Sequence, residues 1–258
     1  MIPRVNILGV GISAIDPPAA LDLLDRWVAA RERHYVCVCA VHIVMECQEN
    51  ARLRAMVNHA SLAVPDGMPL VWVSRLAGQQ QVQRVYGPDL MLSFCELAAL
   101  RGYTSYLLGG APGQPEAVAE RLRARFPSLS IVGMRATPER PLPQAESEAA
   151  VAEINALKPD VVWVGMGAPL QEQWMALNRD RIEAPLLVGV GAAFDFHSAR
   201  IRQAPTWMQH LGLEWLFRLA HEPGRLWRRY LLGNPAFLAR LLAQGLGLRK
   251  YHLDERAS

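Results

Sequence analysis

Two residues in the first third of the chain have the chemistry of an active site. Asp66 stands between Pro65 and Gly67 at the end of a short apolar run, on a turn that these two residues make rigid. A carboxylate in such a place is suited to act as a general base. Spacing alone favours a simpler interpretation, in which Asp66 caps a helix that begins near Met68. Arg84 precedes a second glycine turn, and its guanidinium could bind a phosphate or lie on the surface.

Three glycine-rich segments each follow an apolar run and precede a helix pattern. They are Leu107 to Gly113 with Gly109 and Gly110, Pro159 to Trp174 with Gly165 and Gly167, and Leu187 to Asp195 with Gly191. Free amides and the dipole at a helix N-terminus favour anions there. Gln171 and Glu172 follow Pro169 in the first turn of such a helix, where they could face the same crevice. The segments therefore predict one shared, anion-binding rim.

The elements that must position these residues alternate strictly between strand and helix. We predict strands at Val5–Val10, Tyr35–Ala40, Tyr103–Leu108, Leu129–Gly133, Val161–Val164 and Leu186–Val190. Alternation of this kind is typical of an α/β fold with a Rossmann-like, doubly wound parallel sheet. The α/β domain should span residues 1–198, with Met134–Pro143 as a loop. Gly9-Val-Gly11 matches the dinucleotide fingerprint formally, but Asp16-Pro17-Pro18 restarts the chain too early for its helix.

Charge is distributed unevenly along the 258 residues, whose net charge is +3. Between Arg200 and Lys250, nine Arg or Lys stand against two Glu, interleaved with Trp, Phe, Tyr and Leu. Residues 199–258 therefore resemble a helical, arginine-rich appendage for an anionic surface, either lipid or nucleic acid. The alternative is a helix packed on the sheet with solvated arginines. We find no signal peptide or membrane-spanning run and expect a cytoplasmic protein.

Metal and redox chemistry have little support in the sequence. Cys37 and Cys39 lie two apart on a strand and, with Cys47 and Cys95, are best interpreted as small buried side chains. His42 and Glu46 could share a helix face as metal ligands, although a polar helix edge is the simpler interpretation. The chain has no Asp-x-Asp pair, the usual metal clamp of nucleotide-sugar enzymes.

Several motifs occur together in an order that resembles one enzyme family. They are Pro65-Asp66-Gly67, Arg84 to Leu90, Leu108 to Gly113, Pro159 to Glu172, Gly189 to Phe196, Ala204 to Met208, Gly212 to Trp215, Glu222-Pro223 and Arg229-Tyr230. From about residue 5 to 240, the chain is similar to the WecG/TagA/CpsF glycosyltransferases, glycosyltransferase family 26. One departure is Val38-Cys39-Ala40, where many members carry Thr-x-Asn.

The resemblance implies inverting, metal-independent transfer of a hexose from a UDP-sugar to a polyprenyl-diphosphate-linked saccharide. It places the enzyme at the inner face of the cytoplasmic membrane, with lipid rather than nucleic acid as the partner surface. Asp66 matches the proposed catalytic base, and Arg84 and Gln171 match other active-site positions. The candidates for donor binding are Gly109, Gly110, Gly165, Gly167, Glu172, Gly191, Asp195, Arg218, Arg225, Arg228 and Arg229.

Two other function classes remain to be distinguished. A nucleotide-binding oxidoreductase of Rossmann type would use the same glycine turns, and a non-catalytic protein could dock on membranes through its basic segment. The sugar could be N-acetylmannosamine, its uronic acid or glucose. A homo-oligomer is possible, because aromatic side chains buried between subunits and those buried in lipid look alike in sequence.

Overall fold

A six-stranded parallel sheet forms the centre of the fold in this computed structural model, which describes residues 2–137 and 140–253. The strands in chain order are β1 Arg4–Ile7, β2 Val10–Ser13, β3 His34–Cys39, β4 Leu62–Pro65, β5 Thr104–Gly109, β6 Ser130–Arg135, β7 Val161–Gly165 and β8 Leu186–Gly189. The sheet order is β4-β3-β8-β7-β5-β6. All neighbouring pairs in it are parallel, so the carboxyl ends of its strands meet at one edge.

Helices connect these strands and cover both faces of the sheet. In chain order they are α1 Pro17–Ala29, α2 Val41–Glu49, α3 Ala51–His59, α4 Met68–Leu76, α5 Gly87–Arg101, α6 Gln114–Arg125, α7 Gln144–Leu157, α8 Leu170–Asn178, α9 Ala193–His197, α10 Thr206–His210, α11 Glu214–His221, α12 Pro223–Trp227 and α13 Gly233–Gly245. A 3₁₀ turn at Arg179–Arg181 and a π-helical segment at Arg228–Leu232 complete the set.

Strand β3 shows why the sheet needs two helical layers. Its side chains alternate between the faces, and both faces are apolar. Tyr35, Cys37 and Cys39 pack into a core with α2, α3, α7 and α8, whereas Val36 and Val38 pack into a second core with α1, α5, α6 and α9. The predicted doubly wound α/β fold is therefore confirmed. So is the burial of Cys37 and Cys39 on one side, and Cys47 and Cys95 are buried as well.

The single strand predicted at Val5–Val10 is wrong, because the chain turns back within it. β1 and β2 form an antiparallel hairpin outside the main sheet. Leu8 and Gly9 make the turn with φ values of 53° and 81°, and a two-residue hairpin turn of this kind requires positive φ at both positions. Gly9 and Gly11 thus belong to a hairpin, which confirms that they are no dinucleotide fingerprint.

The C-terminal segment leaves the sheet after α9 and returns to the α/β body through α13. Phe237 of α13 is only 2% exposed and packs in the same core as α2 and the hairpin. Gln244 accepts a hydrogen bond from the Leu8 amide at 3.0 Å and donates one to the Asn6 carbonyl at 3.0 Å. Both ends of the appendage are therefore attached to the body, and α10 to α12 lie between them.

Two predicted boundaries need correction. Met134 and Arg135 extend β6 by two residues, because they continue its pairing with Leu107 and Leu108 of β5. The loop predicted at Met134–Pro143 therefore starts later, and its residues 138 and 139 lie outside the described part of the chain. Pro169 is the N-cap residue of α8 rather than a residue of its first turn.

Candidate active site

The predicted rim exists at the carboxyl edge of the sheet. β5, β7 and β8, which precede the three glycine-rich segments, are neighbours in the sheet order. β4, at the outer edge beyond β3, leads into Asp66. The Asp66 amide donates to the Cys39 carbonyl at 2.8 Å, so the Asp66 turn is bonded to the end of β3. Parallel strand direction is the reason that segments distant in sequence share this edge.

Asp66 does not cap α4, so the predicted cap of the helix that begins near Met68 is wrong. The N-cap of α4 is Gly67, without a side-chain hydrogen bond. The Asp66 carboxylate turns the other way, and its Oδ1 accepts from the Gly87 amide at 3.2 Å. Arg84 Nη2 lies 3.9 Å from the same oxygen. Burial raises the pKa of Asp66 to about 6, and the positive charge of Arg84 opposes that rise.

Arg84 is held firmly and is not a surface residue. Its side chain is 15% exposed and lies 4.0 Å from the centre of the Tyr86 ring. Its guanidinium donates to the Asp66 carbonyl, to Gln209 of α10 and to Glu214 of α11. Because α10 and α11 belong to the C-terminal segment, that segment contributes directly to the surroundings of Asp66.

Sequence reasoning missed the role of Glu214. Its two carboxylate oxygens accept hydrogen bonds from Arg84 and from the Tyr86 hydroxyl, the latter at 3.1 Å. The available signal was that Glu214 is one of two acidic residues in an otherwise basic segment. The other is Glu222, which pairs with Arg218 at 3.6 Å. Both carboxylates therefore position arginines.

Gln171 and Glu172 form a buried hydrogen-bonded chain with Gly191, in the segment that follows β8. Gln171 Oε1 accepts from the Gly191 amide at 2.9 Å, and its Nε2 donates to Glu172 Oε1 at 2.9 Å. Glu172 is fully buried, and its Oε2 has no hydrogen-bond partner among the described residues. Burial raises the pKa of Glu172 to about 7, while the bond from Gln171 and the charge of Arg229 lower it.

The other glycines predicted to bind the donor differ in the space beside them: some are closely packed, and one borders open space. A Cβ on Gly109, whose φ is 132°, would lie 2.4 Å from the Gly165 carbonyl carbon, so the exits of β5 and β7 pass too closely for a side chain. A Cβ on Gly110 would lie 2.9 Å from Oε1 of Gln114. A Cβ on Gly167 would have no described atom within 4 Å. Of these positions, Gly167 leaves most room at the rim.

Asp195 lies at a different part of the rim from Asp66. It stands in the short helix α9, and its Oδ1 accepts from Gln114 Nε2 of α6 at 2.9 Å. Oε1 of Gln114 in turn accepts from the Ala111 amide at 3.0 Å. Through Gln114, Asp195 thus joins the segments that follow β5 and β8.

The appendage arginines are placed differently from one another. Arg218 lies 5.9 Å from the centre of the Phe196 ring, and its positive charge lowers the pKa of Asp66. Arg229 acts in the same way on Glu172. Arg228 is exposed and lies over the Trp227 ring, while the side chain of Arg225 is outside the described part of the structure. Among the candidate arginines whose side chains are described, Arg218 and Arg229 are therefore the two whose charges act on Asp66 or Glu172.

His42 is not part of a polar helix edge, because its ring Nε2 is enclosed. Burial lowers its pKa well below the usual value, and Arg229 and Arg218 lower it further. Within residues 2–137 and 140–253, no group of three or more His, Cys, Asp or Glu is arranged to hold a metal ion. In the same residues, no helix combines the length and apolar character needed to cross a membrane.

Comparisons with known proteins agree with the order of the motifs. The model of the glycosyl transferase WecG/TagA/CpsF family matches residues 5–251. An N-acetylglucosaminyldiphosphoundecaprenol N-acetyl-beta-D-mannosaminyltransferase from Bacillus spizizenii is 29% identical over 219 residues, which cover 84% of this chain and 82% of that protein. Because the family match spans nearly the whole chain, including Asp66, Arg84, Gln171 and the appendage, the protein belongs to the WecG/TagA/CpsF family of glycosyl transferases.

Proposed function

We propose that this glycosyltransferase moves a hexose from a UDP-sugar to a polyprenyl-diphosphate-linked saccharide in cell-surface polysaccharide synthesis, with inversion and without a metal ion. The name of the Bacillus relative supports N-acetylmannosamine as the sugar and a diphosphoundecaprenol-linked N-acetylglucosamine as the acceptor. The donor nucleotide and the independence from metal follow from the family resemblance and from the residues at the rim.

The observation that carries the proposal is the environment of Asp66. The Asp66 side chain is 22% exposed, so a substrate can reach its carboxylate. One carboxylate oxygen is held in place by a hydrogen bond from the Gly87 amide. With a pKa of about 6, the carboxylate is ionised at neutral pH but is more basic than an ordinary aspartate. A general base works best when its pKa lies near the operating pH.

The reaction then needs one displacement at the anomeric carbon. The acceptor hydroxyl oxygen attacks that carbon while its proton passes to the free oxygen of Asp66. The new glycosidic C–O bond forms as the C–O bond to the diphosphate breaks, and the bonding electrons leave with UDP. Attack from the face opposite to the leaving group inverts the anomeric configuration.

The leaving diphosphate requires positive charge, which arginines can supply without a metal. Arg218 and Arg229 are the candidates. The charge of Arg218 lowers the pKa of Asp66, and the charge of Arg229 lowers the pKa of Glu172 in α8, the helix that follows β7. Glu222 pairs with Arg218 at 3.6 Å and so helps to position its guanidinium.

An acceptor with a polyprenyl chain requires the enzyme to work at a membrane surface. We propose that the appendage docks peripherally on the inner face of the cytoplasmic membrane. In support, large apolar side chains are exposed along it: Trp207, Leu211, Leu216, Trp227, Leu231, Leu232, Leu238, Leu242, Leu246 and Leu248. Exposed Trp and Leu beside arginines suit the headgroup region of anionic lipid.

The transfer assay tests the reaction. The purified protein is incubated with UDP-N-acetylmannosamine and a polyprenyl-diphosphate-linked N-acetylglucosamine, with and without EDTA, and the anomeric configuration of the product is read by NMR. We expect EDTA-resistant transfer with inversion. No transfer from this donor or from other UDP-hexoses would refute the donor class, and loss of activity in EDTA that Mg²⁺ restores would refute metal independence.

Vesicle sedimentation tests the docking surface separately. Trp207→Ser with Leu211→Ser should reduce binding to vesicles containing anionic lipid, while Leu100→Ser, at an exposed position on α5, serves as the matched control. Equal binding by both variants would contradict the proposed surface. Self-association of the wild type that the double substitution abolishes would assign the same side chains to a subunit contact instead.

A further inference from the structure

The helix that carries His42 begins beside the turn of the proposed base, although His42 and Asp66 are 24 residues apart in sequence. It is the second residue of α2, directly beyond the end of β3, and the Asp66 amide is bonded to that strand end through the Cys39 carbonyl. A Cβ on Gly67 would lie 3.8 Å from the Cα of Ala40, the N-cap of α2. The start of α2 and the Asp66 turn are therefore direct neighbours.

The ring Nε2 of His42 is enclosed, yet it has no hydrogen-bond partner among the described residues. Enclosed polar atoms are nearly always paired, because an unpaired one loses its bond to water without replacement. An unpaired ring nitrogen at the start of the helix beside the Asp66 turn is thus a group that a substrate can complete.

The charges around this nitrogen indicate what kind of group would complete it. The described charged residues that act on His42 are Arg229 and Arg218, both cationic, and they come from different elements of the appendage. Together with burial, they keep the imidazole neutral at neutral pH. The N-cap residue Ala40 has no side chain that could bond the first amides of α2, so the positive end of this helix faces the same region. An anion fits such surroundings, and a cation does not.

We propose that His42 Nε2 binds the diphosphate of the donor nucleotide between Arg218 and Arg229, an inference that rests on the proposed function. A neutral imidazole with its proton on Nε2 donates one hydrogen bond to a phosphate oxygen. His42 thereby fixes the diphosphate, and the appendage arginines complete the anion site.

Calorimetric titration of UDP and of inorganic pyrophosphate tests this assignment. The proteins are the wild type, His42→Phe, His42→Gln and the control His59→Gln, whose exposed ring bonds to the Ala55 carbonyl of its own helix. We expect His42→Phe to weaken UDP binding about 10-fold, equivalent to about 1.4 kcal/mol. His42→Gln should retain most of the affinity, because its amide nitrogen occupies the place of Nε2, and the control should bind like the wild type.

A second measurement on the wild type avoids dependence on variant folding. The ring resonances of His42, assigned by their absence in His42→Gln, should shift on saturation with UDP and with pyrophosphate. Unmoved resonances, or UDP binding by His42→Phe within about 2-fold of the wild type, would overturn the role of His42 alone. A wild type that binds no UDP would instead refute the donor assignment, and this role with it.

Discussion

Asp66→Asn should make the protein more stable at neutral pH while it removes the proposed catalytic base. The substitution keeps the shape of the side chain and an oxygen that can accept from the Gly87 amide, but it removes the buried negative charge. Burial raises the pKa of Asp66 from 3.8 to about 6, so the folded state disfavours the ionised form that exists at pH 7. The native carboxylate therefore costs stability that the amide does not.

The magnitude follows from the pKa difference. A shift of about 2 units at about 1.36 kcal/mol each corresponds to about 3 kcal/mol at pH values above 6, as an upper bound. For a chain of this size, that is a rise in Tm of about 5–10 °C. The sign of this pH dependence of stability is opposite to that of a salt-bridged aspartate, whose pKa is lowered by folding. Between pH 3.8 and 6 the folded state holds the extra proton, so wild-type stability falls as pH rises, and the advantage of Asp66→Asn grows until about pH 6.

The assay is urea unfolding of both proteins at pH 4, 5, 6 and 7.5, with Asp22→Asn as the control at an exposed position whose side chain is 67% accessible. Transfer activity measured in parallel should fall about 10²- to 10⁴-fold in Asp66→Asn and stay unchanged in the control. If Asp66→Asn is less stable than the wild type at pH 7.5, or if the difference is independent of pH, the burial argument for Asp66 is wrong.

Three further outcomes are expected from the same contacts. The kcat/KM of the wild type should fall on the acid side with an apparent pKa of about 6, because Asp66 must be ionised to accept a proton; a profile flat down to pH 5 would exclude it as the base. Glu214→Gln should move that acid limb to lower pH, because the negative charge of Glu214 raises the pKa of Asp66; an unchanged or raised limb would contradict the coupling. Gly109→Ala should lower the midpoint of urea unfolding, because its Cβ would lie 2.4 Å from the Gly165 carbonyl carbon. Gly78 also has a positive φ, but a Cβ there would meet no described atom within 4 Å. Gly78→Ala should therefore lower the free energy of unfolding only by the backbone strain, about 1–2 kcal/mol. Equal losses at both glycines would show that the β5 and β7 exits do not pass as closely as described.

The α/β class and the glycine rim could be predicted from the sequence because both depend on local patterns. Short apolar runs such as Val161–Val164, separated by helix patterns, predict strands covered on both faces. Parallel strands place their carboxyl ends at one edge, so the three glycine-rich exits had to meet there. The family motifs carried this further, because their order along the chain is itself a sequence property.

The hairpin could not be predicted, because its turn depends on distant partners. Leu8 has a positive φ, which is unusual for a leucine, and its sequence carries no Asn-Gly or Asp-Gly signal. Its amide is bonded by Gln244 of α13, and its carbonyl accepts from Gln48 of α2 at 2.8 Å. Nothing within a local window around residue 8 contains that information.

The residues themselves determined that Asp66 lies on a rigid turn at a strand end and that the C-terminal segment is basic and apolar. Tertiary structure alone decided what these features contact. The direction of the Asp66 carboxylate, away from α4, depended on the Gly87 amide, and the position of Arg84 depended on Glu214, 130 residues away. Helix caps and strands are set by neighbours along the chain, whereas the pKa of a carboxylate is set by every charge and apolar surface that folding brings within reach.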